Sequence, residues 1–143
     1  GPCGYGLPAI VGAKIAKPDV PVVGFAGDGA FGIAVTELTA IGRPEWPAIT
    51  MVVFRNYQWG AEKRNSTLWY DDNFVGTELS DRVSYAGIAR ACGLDGVVAR
   101  TMGELTEALR GAVRAQMEEG RTTLIEALIN QELGEPFRRD AMK

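Results

Sequence analysis

Residues 48–54, AITMVVF, are apolar but for one threonine and show no alternation of polar and apolar positions. A strand with one solvated face alternates with period two, so an unbroken apolar run marks a strand buried on both faces. Such strands belong to parallel sheets, whose neighbours need crossover connections, usually helical. The rest of the chain supplies them. Residues 7–17, LPAIVGAKIAK, have helical spacing, with Pro8 suited to a first turn and Pro18 as a stop. VPVVGF at 20–25 reads as a second buried strand. Residues 31–42, FGIAVTELTAIG, return to the helical period, with Ile33, Leu38 and Ile41 available to a core. Further on, DRVSYAGIARACG reads as a helix and GVVAR as a short strand. TMGELTEALRGAVRAQMEEG is a helix opened by the capping-box pair Thr101 and Glu104, and TTLIEALI is a closing strand. This alternation predicts a three-layer α/β/α unit with a mostly parallel sheet. Only residues 55–80 lose the regular signal and read as a long irregular loop, a kind that in small domains is more often functional than not.

In open sheets of this kind ligands bind beyond the carboxyl ends of the strands. Two conspicuous segments sit at such ends, GDGAFG at 27–32 and RNYQWG at 55–60. Gly-Asp-Gly is by itself a good turn, since glycine accepts positive φ and Asp bonds its own backbone. It is equally the start of a metal and phosphate site. Asp28 offers a carboxylate for a hard cation, and the Gly29, Ala30 and Phe31 amides at a helix start suit an anion. If the two strands are neighbours, Asp28 meets Asn56, whose amide oxygen is a neutral ligand, with the Gln58 carbonyl two residues further along. An isolated asparagine at this place would only cap a strand end.

Composition narrows the chemistry. There is no histidine, which excludes a serine–histidine triad, a histidine base and the usual histidine-containing zinc sites. The net charge is -3, from 15 basic and 18 acidic residues, and gives no electrostatic case for nucleic acid or an anionic membrane. No apolar run approaches the roughly 20 residues of a membrane span. Cys3 and Cys92 form neither a metal-spacing pair nor a disulfide framework, so a reducing, cytoplasmic setting is expected. Taken alone, Cys3 is a small buried apolar group. The chain has no initiator methionine and opens on GPCGYGLPA, a Gly/Pro-rich boundary with no strand before it, as expected of a domain from a longer protein. Residues 1–130 read as that domain and 131–143 as a polar, basic tail.

GDGAF followed at a distance by RN resembles the signature of the diphosphate-binding domain of thiamine diphosphate enzymes, where GDG is followed by a pair of asparagines. The resemblance implies Mg2+ held by Asp28, Asn56 and the Gln58 carbonyl. It further implies thiamine diphosphate seated against Gly27, Asp28, Gly29, Ala30, Phe31, Asn56, Gln58, Trp59 and Gly60. Arg55 stands in place of the first asparagine, which is not a metal ligand. GPCGYGLP is similar to the family's GxMGFGLP segment, whose methionine supports the bent cofactor; Cys3 takes that place, beside Gly4.

Within the family, the stretch NYQWGAEKRN with its following Trp69–Tyr70 pair and FVGTEL looks most like sulfoacetaldehyde acetyltransferases, as does the terminal EPFRRDAMK. Acetolactate synthases instead carry apolar residues where this chain has Glu62, Lys63 and Arg64. That likeness implies formation of acetyl phosphate and sulfite from sulfoacetaldehyde and phosphate. Glu62 is then a candidate for proton transfer, and Lys63 and Arg64 are candidates for the sulfonate or phosphate, though a charged EKR run is usually a solvated face. Trp59 could wall the pocket, and Trp69 is expected to pack the loop down. The family's catalytic glutamate belongs to a separate pyrimidine-binding domain, normally on the partner subunit. A homo-oligomer, an isolated chain without activity and an orphaned apolar face are therefore expected. Two other readings stay open: an acetolactate synthase-like enzyme with the same metal site, and a non-catalytic nucleotide-binding or interaction domain. No G-x-G-x-x-G or Walker motif supports a nucleotide.

Overall fold

In the computed structural model, residues 2–132 are described; the terminal EPFRRDAMK lies outside them. The chain runs α1 (Gly6–Ala16), β1 (Val23–Gly27), α2 (Asp28–Ile33), α3 (Leu38–Ile41), β2 (Thr50–Arg55), α4 (Gly60–Trp69), α5 (Tyr85–Ala91), β3 (Asp95–Ala99), α6 (Met102–Arg114) and β4 (Thr123–Leu128). The strands form one parallel sheet in the order β1-β2-β4-β3. The unalternating run that predicted a doubly covered strand is β2, fully buried but for Phe54, and β4 on its other side is buried in the same way but for Leu128.

Helices cover both faces. On one, Leu7 and Val11 of α1, Phe31, Leu38, Ile41, Ala86 and Ala89 close over Met51, Val53 and Leu124. On the other, Leu105, Ala108, Leu109 and Ala112 of α6 lie on Val52, Ile125, Ala99 and Ala127. The N-cap of α6 follows its sequence signature: Thr101 Oγ1 accepts from Glu104 N at 3.1 Å, while Glu104 reaches back to Arg100 N at 2.6 Å. Among the described residues no helix is long and apolar enough to cross a membrane.

Three expectations need correction. Residues 31–42 do not form one helix: α2 ends at Ile33, a short 3-10 turn spans Val35–Glu37, and α3 follows. Gly32 and the β-branched Ile33, Val35 and Thr36 favour such a break. In consequence Ile33 is 57% exposed, while Leu38 and Ile41 are buried. Residues 55–80 are not one loop, because α4 lies within them. Its Ala61, Glu62, Lys63 and Arg64 are good helix formers, but no residue of α4 is buried, so no apolar stripe announced it. Trp69 does not pack the segment down; it is 61% exposed, and Tyr70, Val75, Phe25 and Met102 are exposed as well.

Gly96 fixes how β3 meets α5. A Cβ there would stand 2.1 Å from the Ala86 carbonyl oxygen, against backbone that cannot yield. The substitution Gly96→Ala should cost about 1–3 kcal/mol of stability, read by denaturant unfolding; a variant as stable as its parent would mean that β3 and α5 are not in such close contact.

Candidate active site

The first two strands are in-register neighbours, with Gly27 paired to Phe54, so the residues that follow them emerge side by side. Asp28 opens α2 directly from β1, capped by Gly27, which has no side chain to occupy the helix end. Arg55 ends β2, and Asn56, Tyr57 and Gln58 turn over the sheet edge. This juxtaposition builds a cleft of about 490 Å³ whose lining includes Cys3, Gly27, Asp28, Gly29, Ala30, Asn56, Gln58, Trp59, Gly60 and Glu62. Ile129, just beyond β4, and Phe54 complete its apolar part.

Two glycines of the opening tripeptide are bare for different reasons. A Cβ on Gly29 would stand 2.8 Å from the Trp59 indole, so the ring lies flush on the backbone of the first turn. A Cβ on Gly27 would meet no protein atom, although Gly27 lines the cleft. Space is what its missing side chain leaves. The turn at Tyr57 is left-handed, with φ +62°, a conformation costly for an aromatic residue. It is held on both sides: Leu79 N donates to Tyr57 O at 2.8 Å and Trp59 N to Thr77 O at 2.7 Å.

Asp28 is 1% exposed, and both of its oxygens accept from protein donors. Its Oδ2 accepts from Tyr57 N at 2.7 Å and faces Arg55 Nη1 at 3.4 Å; its Oδ1 accepts from Gly29 N at 3.0 Å. Burial pushes the carboxyl above its ordinary range, opposed in turn by the Tyr57 amide, the Arg55 charge and the Gly29 amide. Beneath it Arg55 is itself buried, lying over the rings of Tyr57 at 4.4 Å and Tyr85 at 4.9 Å. Its Nη2 donates to Ser80 O at 2.7 Å and Val83 O at 2.8 Å, and its Nε lies 3.2 Å from Glu126 Oε1. Tyr85 donates its hydroxyl to Asp28 O at 2.9 Å, and burial raises that hydroxyl's pKa.

The other candidates are placed as follows. Asn56 Oδ1 accepts from Gln58 N at 3.3 Å, and Gln58 Nε2 donates to Gln131 O at 2.9 Å, while Gln58 Oε1 is buried with no hydrogen-bond partner. Cys3 is exposed at the mouth of the cleft, which corrects its reading as a buried apolar group. Gly4 packs under Ile33, and the Phe31 ring is in the core edge-on to Tyr85, leaving only the Phe31 amide for the helix start. Lys63 and Arg64 are not among the residues lining the cleft. Lys63 pairs with Glu78 and lies 5.4 Å from the Phe74 ring.

Among the described residues no group of three or more His, Cys, Asp or Glu could hold a metal ion. One carboxylate with neutral oxygens beside it is the donor set suited to magnesium that keeps water and phosphate ligands. Asp28, Asn56 and Gln58 in one cleft lining, with open space at Gly27, fit such a group. Sequence reasoning had passed over Glu126, Tyr85, Tyr57 and Gln131. A charged residue within TLIEAL was the available signal for the first of them.

A family model described as thiamine pyrophosphate enzyme, C-terminal TPP binding domain, matches residues 1–127. The chain is 85% identical, over 99% of its length, to the sulfoacetaldehyde acetyltransferase of Rhodobacter capsulatus, and 81% identical over 100% to that of Roseovarius nubinhibens. It spans 24% of the length of each of these curated relatives. A solved thiamine diphosphate-dependent 4-hydroxybenzoylformate decarboxylase from Rhodococcus jostii RHA1 superposes with a TM-score of 0.81 at 28% identity, over 92% of this chain and 24% of that one.

Since burial raises the Asp28 pKa in the folded state, its contribution to stability is fully present below pH 3.8 and drains away as pH rises through the raised value. Asp28→Asn cannot ionise. Without added metal, its stability relative to the parent should therefore increase with pH across that window, followed by thermal unfolding; a difference that does not vary with pH would contradict the assignment.

Proposed function

Since the chain belongs to the thiamine pyrophosphate enzymes, as their C-terminal TPP-binding domain, we propose that it forms the diphosphate-holding part of a sulfoacetaldehyde acetyltransferase. That enzyme would convert sulfoacetaldehyde and phosphate to acetyl phosphate and sulfite. The likeness to two acetyltransferases across nearly the whole chain carries this reading.

In it, the Asp28 carboxylate, the Asn56 amide oxygen and the Gln58 carbonyl hold Mg2+, and the Ala30 and Phe31 amides of the first turn of α2 face the diphosphate. The Gly29 amide is already committed to Asp28 Oδ1 and orients the carboxylate instead. Gly27 and Gly60 keep backbone close to the cofactor, Gly4 lets the segment carrying Cys3 pack under Ile33, Trp59 closes one wall, and Cys3 offers an apolar support at the mouth. Bound thiamine diphosphate supplies carbanion chemistry at its thiazolium ring. Glu62, on the first turn of α4 and lining the same cleft, moves a proton near the reacting atoms. Both substrates are anions, and Lys63 reaches them by exchanging Glu78 for substrate. Arg64 follows it on the same helix and offers a planar bidentate partner. The cleft is open in this chain alone. A pyrimidine-binding domain on a partner subunit, which brings the catalytic glutamate, would close it in a homo-oligomer.

The full-length parent protein should release sulfite from sulfoacetaldehyde in the presence of phosphate and Mg2+, and should not turn over pyruvate. Turnover of pyruvate without sulfite release would replace the reading by an acetolactate synthase-like one. Within the active enzyme, Glu62→Gln should lower turnover by about 100-fold or more; full turnover would take the proton role from Glu62.

A further inference from the structure

Glu126 is a charged residue in the interior of a buried strand. It is 3% exposed, and its backbone pairs with Val53 of β2 on one side and Val98 of β3 on the other. Its two oxygens have separate tasks. Oε2 accepts from Ser84 Oγ at 2.9 Å and Ala86 N at 3.0 Å, which fastens the carboxylate to the start of α5. Oε1 faces Arg55 Nε at 3.2 Å. A buried ion pair is a poor stability device, because desolvation consumes most of the Coulomb attraction and well-packed apolar residues do as well or better. Placing Glu126 here therefore calls for another account.

The geometry of Arg55 supplies one. The guanidinium lies between two carboxylates, and its contact to Asp28 Oδ2, at 3.4 Å, is the longest of its polar contacts. The Ser80 and Val83 carbonyls and Glu126 hold it back from the cleft side. Counting charge, Arg55 and Glu126 cancel, and the net negative charge of the trio remains on the member that lines the cleft. Were Glu126 uncharged, the cation would have Asp28 as its only carboxylate partner among the described residues. A divalent ion would then have to compete with a buried arginine for the same carboxylate.

We infer that Glu126 is a positioning residue for the metal site: by neutralising and anchoring Arg55 from behind, it leaves the Asp28 carboxylate to a divalent cation. The inference rests on the reading of Asp28, Asn56 and Gln58 as magnesium ligands. It makes Arg55 a restrained competitor of the metal, with a sign that a purely structural role would not produce. Removing Glu126 alone should harm metal binding more than removing Glu126 and Arg55 together.

The test is a titration of Mg2+ into full-length protein at fixed thiamine diphosphate, followed by intrinsic tryptophan fluorescence and by calorimetry, with circular dichroism to verify the fold. Glu126→Gln should weaken apparent Mg2+ affinity tenfold or more. The double variant Arg55→Gln with Glu126→Gln, and the apolar pair Arg55→Met with Glu126→Leu as a second version should the first misfold, should recover most of that loss. Unchanged affinity in Glu126→Gln overturns the inference, and so does a double variant as weak as the single one. A parent protein whose thiamine diphosphate binding does not depend on Mg2+ would instead remove the metal reading itself, and the inference with it.

Discussion

The interaction on which the rest of the structure depends is the burial of one guanidinium. Arg55 carries five N–H donors into a dry interior, where each unpaired donor would cost free energy on the order of 1–3 kcal/mol. Its partners come from separate parts of the chain: Asp28 at the start of α2, the Ser80 and Val83 carbonyls ahead of α5, and Glu126 in β4. Tyr57 and Tyr85 cover it from their ring faces. Its Nε, 3.2 Å from Glu126 Oε1, faces that carboxylate as an ion pair without making a hydrogen bond, and seating this one side chain ties the start of α2, residues 80–83 and β4 together. The N-cap of α5 shows the coupling directly, since Ser84 both caps Gly87 N and bonds Glu126.

The cleft inherits its geometry from this arrangement. Asp28 is oriented by three donors, two of them backbone amides, and Tyr57 is kept in a left-handed conformation that lets Asn56 and Gln58 line the same cleft. The Trp59 ring on Gly29 explains why the residue after the aspartate has no side chain.

What was legible in the sequence was legible for physical reasons. The unalternating run in β2 and the similar run in β4 required cover on both faces, and that requirement led to a parallel sheet with helices above and below. The strand-end rule brought Asp28 and Asn56 together because sheet neighbours in register place their carboxyl ends side by side. Periodicity failed where burial is absent or interrupted. The α4 helix buries nothing and so shows no stripe, and α2 and α3 share one buried side across a break that single-residue spacing does not reveal. Trp69, and Cys3 when taken alone, read as packed because their type favours burial, yet both are exposed in this chain. Buried polar partners were the least legible: a charge within TLIEAL marks Glu126, but its pairing with Arg55 exists only in space.

The strand order carries a consequence for how the domain is made. Although β4 lies between β2 and β3, it is the last strand in chain order among the described residues. As the chain leaves the ribosome, β1, β2 and β3 are all present before the strand that joins β3 to the β1–β2 pair, so the four strands cannot close into one sheet until synthesis has passed residue 128. Through that interval β2 exposes an unpaired, apolar edge of the kind that invites other chains. Arg55 is without its Glu126 partner until the same moment, so completion of the sheet and completion of the buried charge cluster are one event in the life of the nascent protein.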